Sequence, residues 1–198
     1  MTDPAAAHDD PARRRNRLTL LAIVALFFGS MLVAGVLRFS GWHPAGTKAH
    51  GELLSPPLDL RAHEPVLLDG ATYAWNPPAR TWRVAIAPPT DCGEACAKLA
   101  HDLDVVWRLM GRNADHLDIL WSCPDQACAV PSPLREDRSL RRLRADPAWS
   151  QSLPRNDDAG SGVPVYVIDP NGFVILRYPP GADPGGLRAD LAKLMKLI

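Results

Sequence analysis

Twenty consecutive uncharged residues, Leu18 to Leu37 ("LTLLAIVALFFGSMLVAGVL"), dominate the hydrophobic pattern of the chain. As a helix such a run is about 30 Å long, the thickness of a bilayer's hydrocarbon core. No face of it is charged, as a helix half-buried in a soluble core would require. A cleavable signal sequence carries a shorter apolar region, about 7–15 residues, and then a small-residue cleavage site. "LRFSGWHPAG" offers no such site, so the pattern predicts a retained membrane span. Arg13, Arg14, Arg15 and Arg17 precede it, and positive charge stays on the cytoplasmic side. The expected layout is a cytoplasmic N-terminus at 1–17, a single-pass span at 18–37, a tether with a first extended segment at 38–80, and an exported domain at 81–198. In a bacterium that domain lies in the periplasm, where thiols oxidise.

Beyond the span the pattern changes period. "TWRVAIAPP" (Thr81 to Pro89) has an apolar centre suited to a buried strand. Cys96, Leu99, Leu103, Val106 and Met110 then recur at steps of three and four. They form one stripe of a helix capped by Asp91 or Thr90 and stopped by Gly111. "HLDILWSC" (His116 to Cys123) is a second strand, parallel to the first through a right-handed crossover. "DRSLRRLRADPAWSQSL" reads as a surface helix whose arginines, Arg138, Arg141, Arg142 and Arg144, face solvent or an anion. Val165 to Ile168 and Phe173 to Tyr178 are strands of a hairpin. "DPNG" between them sets a type I turn served by Asp169, with Gly172 at positive φ. A last helix is capped by Asp183, opens on Pro184, and buries Leu187, Leu191, Leu194 and Ile198. A βαβ half followed by a ββα half predicts an α/β domain: a mixed sheet with helices on both faces.

Composition narrows the function without naming it. Basic and acidic residues both number 22, and beyond Leu37 they are 18 against 19, so no global field favours nucleic acid. The 20 prolines suit turns and extended connections rather than a helical bundle. No serine-histidine-acid arrangement, phosphate loop or metalloprotease helix is present.

The candidate chemistry lies in four cysteines: Cys92, Cys96, Cys123 and Cys128. Parallel first and second strands end at the same edge of the sheet, so Cys92 and Cys123 follow neighbouring ends. Ligands and catalytic groups of open α/β sheets gather at that edge. Pro164 starts an antiparallel strand and returns there. Three chemistries fit. One is a reversible dithiol, with Cys92 activated at a helix N-terminus and Cys96 resolving. A second is soft-metal binding by thiolates that suit Cu(I). A third is a pair of structural disulfides in an oxidising compartment. A four-cysteine zinc site has no matching ribbon spacing. Glu94 reads as an exposed helix-start acid, and Trp82, Trp107 and Trp121 read as core.

The order of elements is that of thioredoxin, and "SGVPVYVIDPNG" (Ser161 to Gly172) resembles a segment of TlpA-like and related thioredoxin-fold proteins. That resemblance implies that Pro164 is the cis-proline facing the redox cysteines. "CGEAC" is similar to the CxxxC motif of the Sco/SenC copper chaperones, which are also anchored by one N-terminal span. "RYPPGADPGGLRADLAKLMK" (Arg177 to Lys196) looks like a membrane-anchored protein of bacterial cytochrome oxidase gene clusters. The resemblance implies an assembly factor for cytochrome c oxidase, working by thiol–disulfide exchange or Cu(I) handling. Its partner would be an oxidase subunit or another copper or thiol protein. The Sco loop that supplies a third copper ligand, a histidine, reads "NDDAGSGVP" here, leaving Cys123 or Cys128 to replace it. His101, His116, His43, His50 and His63 lie off the cysteine helix face, at the far end of the sheet, or in the tether region. A thioredoxin-fold scaffold subunit of a respiratory complex, with structural disulfides, is the alternative.

Overall fold

Six short β-rich runs and four helices make up the computed structural model, which describes residues 11–40, 49–125, 128–136, 138–154 and 162–197. The chain divides into two units, Met1–Thr47 and Lys48–Ile198. In the first, helix α1 runs from Pro11 to Phe39. Its apolar side chains, such as Leu20, Leu26 and Leu32, are exposed. Its length and composition suffice to cross a membrane.

The second unit is built on strands β1 (Glu52–Asp59), β2 (Trp82–Ile86), β3 (Leu117–Ser122), β4 (Leu140–Leu143), β5 (Val165–Ile168) and β6 (Phe173–Tyr178). Their order across the sheet is β1-β6-β5-β2-β3-β4. β2, β3 and β4 are parallel, while β5, β6 and β1 join antiparallel. The expected mixed sheet is thus present. The first extended segment is β1, paired with β6.

Alternation along the strands separates two cores. Val84, Ile86, Ile119, Trp121 and Val167 face helix α2 (Gly93–Leu109) and helix α4 (Pro184–Leu194). Ala85, Leu120, Tyr166 and Ile168 face the other way, onto Trp149 of helix α3 (Pro147–Ser152) and onto Leu60. The predicted α2 stripe is borne out: Cys96, Leu103, Val106 and Met110 are buried, with Leu99 packed against them. Gly111 ends α2 at φ +57°. The cap differs from expectation. Cys92 itself is the N-cap, and neither Asp91 nor Thr90 supplies a side-chain bond there. Asp183 does cap α4, accepting from the backbone N–H groups of Gly185 and Gly186. Ile198 lies outside the described residues.

The surface helix expected over 137–153 is corrected. Leu140–Leu143 is instead an edge strand parallel to β3, and only Pro147–Ser152 is helical. Arg141 reaches across to Asp118 at 3.1 Å, and Leu143 is buried. Pairing with a distant strand outweighs a helical preference that is weak in isolation. The segment Val66–Leu68 covers the outer side of β4, with bonds from Leu68 N–H to the Arg142 carbonyl and from Arg144 N–H to that of Val66.

A buried arginine holds the connection between β1 and β2. Arg83 donates to the Tyr73 hydroxyl and to the carbonyls of Asp169 and Pro170, and lies over the rings of Tyr73 and Trp75. The Tyr73 hydroxyl donates to Asp118, and its acidity is pushed down to a pKa of about 12 by burial, with the Asp118 charge adding to it.

Candidate functional site

β2 and β3 run side by side to the pair Ile86–Trp121, β3 pairs with β4 for one residue more, and both chains then leave the sheet at one rim. After β2 come Pro88, Pro89 and the turn into α2; after β3 comes Cys123. Proline cannot donate to a ladder, so Pro88 and Pro124 fit strand exits. A cavity of about 440 Å³ opens at this rim, lined in part by Pro88, Pro89, Cys123, Pro124, Pro164 and Tyr166. Cys123 and Pro164 thus line one cavity.

The four cysteines form two bridges, Cys92–Cys96 and Cys123–Cys128, with Cα separations of 5.3 and 5.1 Å. All four pack into the α2-side core. They differ in access: Cys92 is half-buried at the head of α2, Cys96, Cys123 and Cys128 are buried, and Cys123 is wholly so. Gly93, between Cys92 and the body of α2, takes φ +49°, a conformation glycine adopts without the strain of a side chain. The backbone N–H groups of Ala95 and Cys96 point back to the Cys92 carbonyl. The Cys92 sulfur therefore stands at the positive end of a 17-residue helix, where a thiolate is favoured once the bridge opens.

Pro164 departs from the reading by resemblance. The cis peptide bonds among the described residues precede Pro56 and Pro133, and the Val163–Pro164 bond is not one of them. Pro164 lines the rim cavity together with Tyr166 and Cys123. Residues 156–161 of the loop that would carry a third copper ligand, as well as His43, lie outside the described residues.

Closed disulfides present no thiolate to a metal. Reduction of Cys92–Cys96 would free two soft ligands that fit Cu(I), but among the described residues no group of three or more His, Cys, Asp or Glu side chains is placed around one ion. His101 and His63 are exposed, and His116 precedes β3 at the opposite end of the sheet. His50 is engaged elsewhere: its Nδ1 lies 3.1 Å from Asp190.

Asp190 is a polar centre that pattern reading passed over. It is 2% exposed and accepts from the backbone N–H groups of His50 and Gly51 and from the Tyr178 hydroxyl, while Lys193 lies 3.2 Å away. Burial alone raises its pKa, but the His50 side chain and these donors outweigh that and hold it at about 2. Burial and the same carboxylate push the Tyr178 phenol far upward. Asp190 follows Leu187 at i+3, on the core-facing side of α4, and this position was the only sequence cue.

A mixed sheet carrying two parallel βα units, an antiparallel hairpin and helices on both faces defines a thioredoxin-like domain. The model of the "Transmembrane-like, thioredoxin-like, C-terminal domain" matches residues 82–198, and that of the "Transmembrane-like, N-terminal domain" matches 10–41. The chain belongs to this transmembrane-like, thioredoxin-like family. No curated protein matches the sequence significantly. Among solved structures, a SCO1/SenC family lipoprotein from Bacillus anthracis is 18% identical, with a TM-score of 0.52 over 72% of this chain and 99% of that one. Apo Sco1 from Thermus thermophilus is 17% identical, with a TM-score of 0.50 over 78% and 99%. Copper-bound ScoI from Bradyrhizobium japonicum is 18% identical, with a TM-score of 0.46 over 72% and 98%. At such identities the first two show a shared fold: the domain has the architecture of Sco/SenC proteins.

Proposed function

We propose that this is a membrane-anchored thiol–disulfide exchange factor, exported to the bacterial periplasm, that serves assembly of the copper centre of cytochrome c oxidase. The carrying observation is the Cys92–Cys96 bridge at the N-terminus of α2, with Cys92 the least buried of the four cysteines. The α1 helix acts as the anchor, with the arginines at 13–17 on the cytoplasmic side. A client thiolate attacks Cys92, and Cys96 leaves as a thiolate that the helix start and its N–H groups accommodate. In the reverse direction Cys92 attacks a client disulfide and Cys96 resolves the mixed species. Reduced Cys92 and Cys96 also suit Cu(I) as cargo, which makes copper transfer the second reading within the same site.

The test is a titration of the full chain in detergent against glutathione buffers. An exchanging Cys92–Cys96 pair reduces at a measurable potential above about −300 mV, whereas a structural bridge stays oxidised there. Reconstitution of the reduced protein with Cu(I) separates the chemistries, because stoichiometric copper lost in Cys92→Ser supports cargo binding. Neither exchange nor copper would leave the scaffold reading.

A further inference from the structure

We infer that Cys123–Cys128 is a second redox couple, reached through Cys92–Cys96 rather than from solvent. This rests on the reading of Cys92–Cys96 as an exchanging pair and adds an internal partner to it. Three observations meet. First, access is graded: Cys92 is half-buried, Cys128 is 8% exposed and Cys123 is 0% exposed. A protein-sized dithiol can approach Cys92 but not the second bridge. Second, both bridges share one core and one rim. The cavity sets Pro88 and Pro89 beside Cys123 and Pro124, and Cys92 lies three residues beyond Pro89, at most about 11 Å of extended chain. Third, the chain after the second bridge folds onto α2. Val130 and Leu134 are buried in the same cluster as Cys96, and the turn Leu134–Glu136 packs against that helix.

Exchange between the bridges needs no further reagent once an external dithiol has reduced the first. The Cys92 thiolate attacks Sγ of Cys128, the less buried residue of the pair, forming a Cys92–Cys128 disulfide and expelling the Cys123 thiolate. The Cys96 thiolate then attacks Cys92 Sγ, re-forming Cys92–Cys96 and expelling the Cys128 thiolate. The protons given up by Cys92 and Cys96 end on Cys123 and Cys128. Two electrons have moved inward, and Cys92–Cys96 is free to take two more. The domain thereby holds four electrons, enough to reduce two client disulfides for each loading.

Two measurements on the full chain in detergent test this. In Cys96→Ser the Cys92 thiol lacks its resolving partner, so acid quenching, maleimide blocking and peptide mapping under non-reducing conditions should find Cys92 joined to Cys128 or Cys123. Blocked Cys92 beside an intact Cys123–Cys128 bridge would overturn the inference. With reduced thioredoxin as the probe, Cys123–Cys128 should open at least tenfold more slowly in Cys92→Ala/Cys96→Ala than in the unsubstituted protein, with tryptophan fluorescence confirming the fold of the variant. Equal rates would overturn it. Failure of the parent reading looks different: thioredoxin would leave Cys92–Cys96 itself oxidised in the unsubstituted chain. Opening of Cys92–Cys96 with Cys123–Cys128 still closed would sink the relay alone.

Discussion

Asp190 shows how one buried side chain sets a pH dependence. Its carboxyl is held at about 2, against 3.8 for the free group, so its folded pKa is depressed. Stability from this group is fully present above about pH 4 and is lost as pH falls through about 2, a contribution of about 2 kcal/mol. Asp190→Asn should flatten the acid limb of a urea-midpoint profile between those values. Asp190→Ala should cost about 3 kcal/mol at neutral pH, because two backbone N–H groups and the Tyr178 hydroxyl lose their acceptor. Arg83 is a comparable case at the other end of the sheet. Arg83→Met keeps bulk but leaves the Pro170 carbonyl without its donor, while the Asp169 carbonyl keeps the Gly172 N–H and the Tyr73 hydroxyl keeps Asp118, so a loss of about 1–2 kcal/mol in urea titration is expected. Neither residue stood out in the sequence. A lone Asp on a helix and a lone Arg in a strand acquire meaning only from partners more than seventy positions away or brought in by a turn.

Turns and caps were the more legible level. The "DPNG" hairpin forms as its residues dictate: Asp169 accepts from the N–H groups of Asn171 and Phe173, and Gly172 takes φ +96°. A Cβ at Gly172 would also lie 3.0 Å from the Trp75 ring. Gly172→Ala should therefore lower stability by about 1–3 kcal/mol, read as a reduced urea midpoint without a change in slope. Asp183 repeats the logic at the head of α4, and Asp183→Ala should cost about 1 kcal/mol. The arginine-rich segment went the other way. Leu140–Leu143 has no clean alternation, and its identity as a strand comes from the open edge of β3 and the cover of Val66–Leu68. Pro147 held the missed cue, since a proline inside a helical pattern marks a first turn, here capped by Asp146.

In the whole molecule, the two units lead to separable outcomes. Alkaline carbonate should leave the full chain in the membrane pellet, while a chain starting at Lys48 should move to the supernatant, because α1 carries the long apolar run. The long apolar helix, strand and helix periods and the hairpin follow from residues close in sequence, whose interactions are set by spacing and chirality alone. The partners of Asp190 and Arg83, the β4 edge, the cavity that Pro164 and Cys123 both line, the pairing of the four cysteines and the burial of the second bridge were decided only in three dimensions. Each depends on closing a long loop, and its free energy comes from desolvation and pairing between segments that local pattern does not bring together.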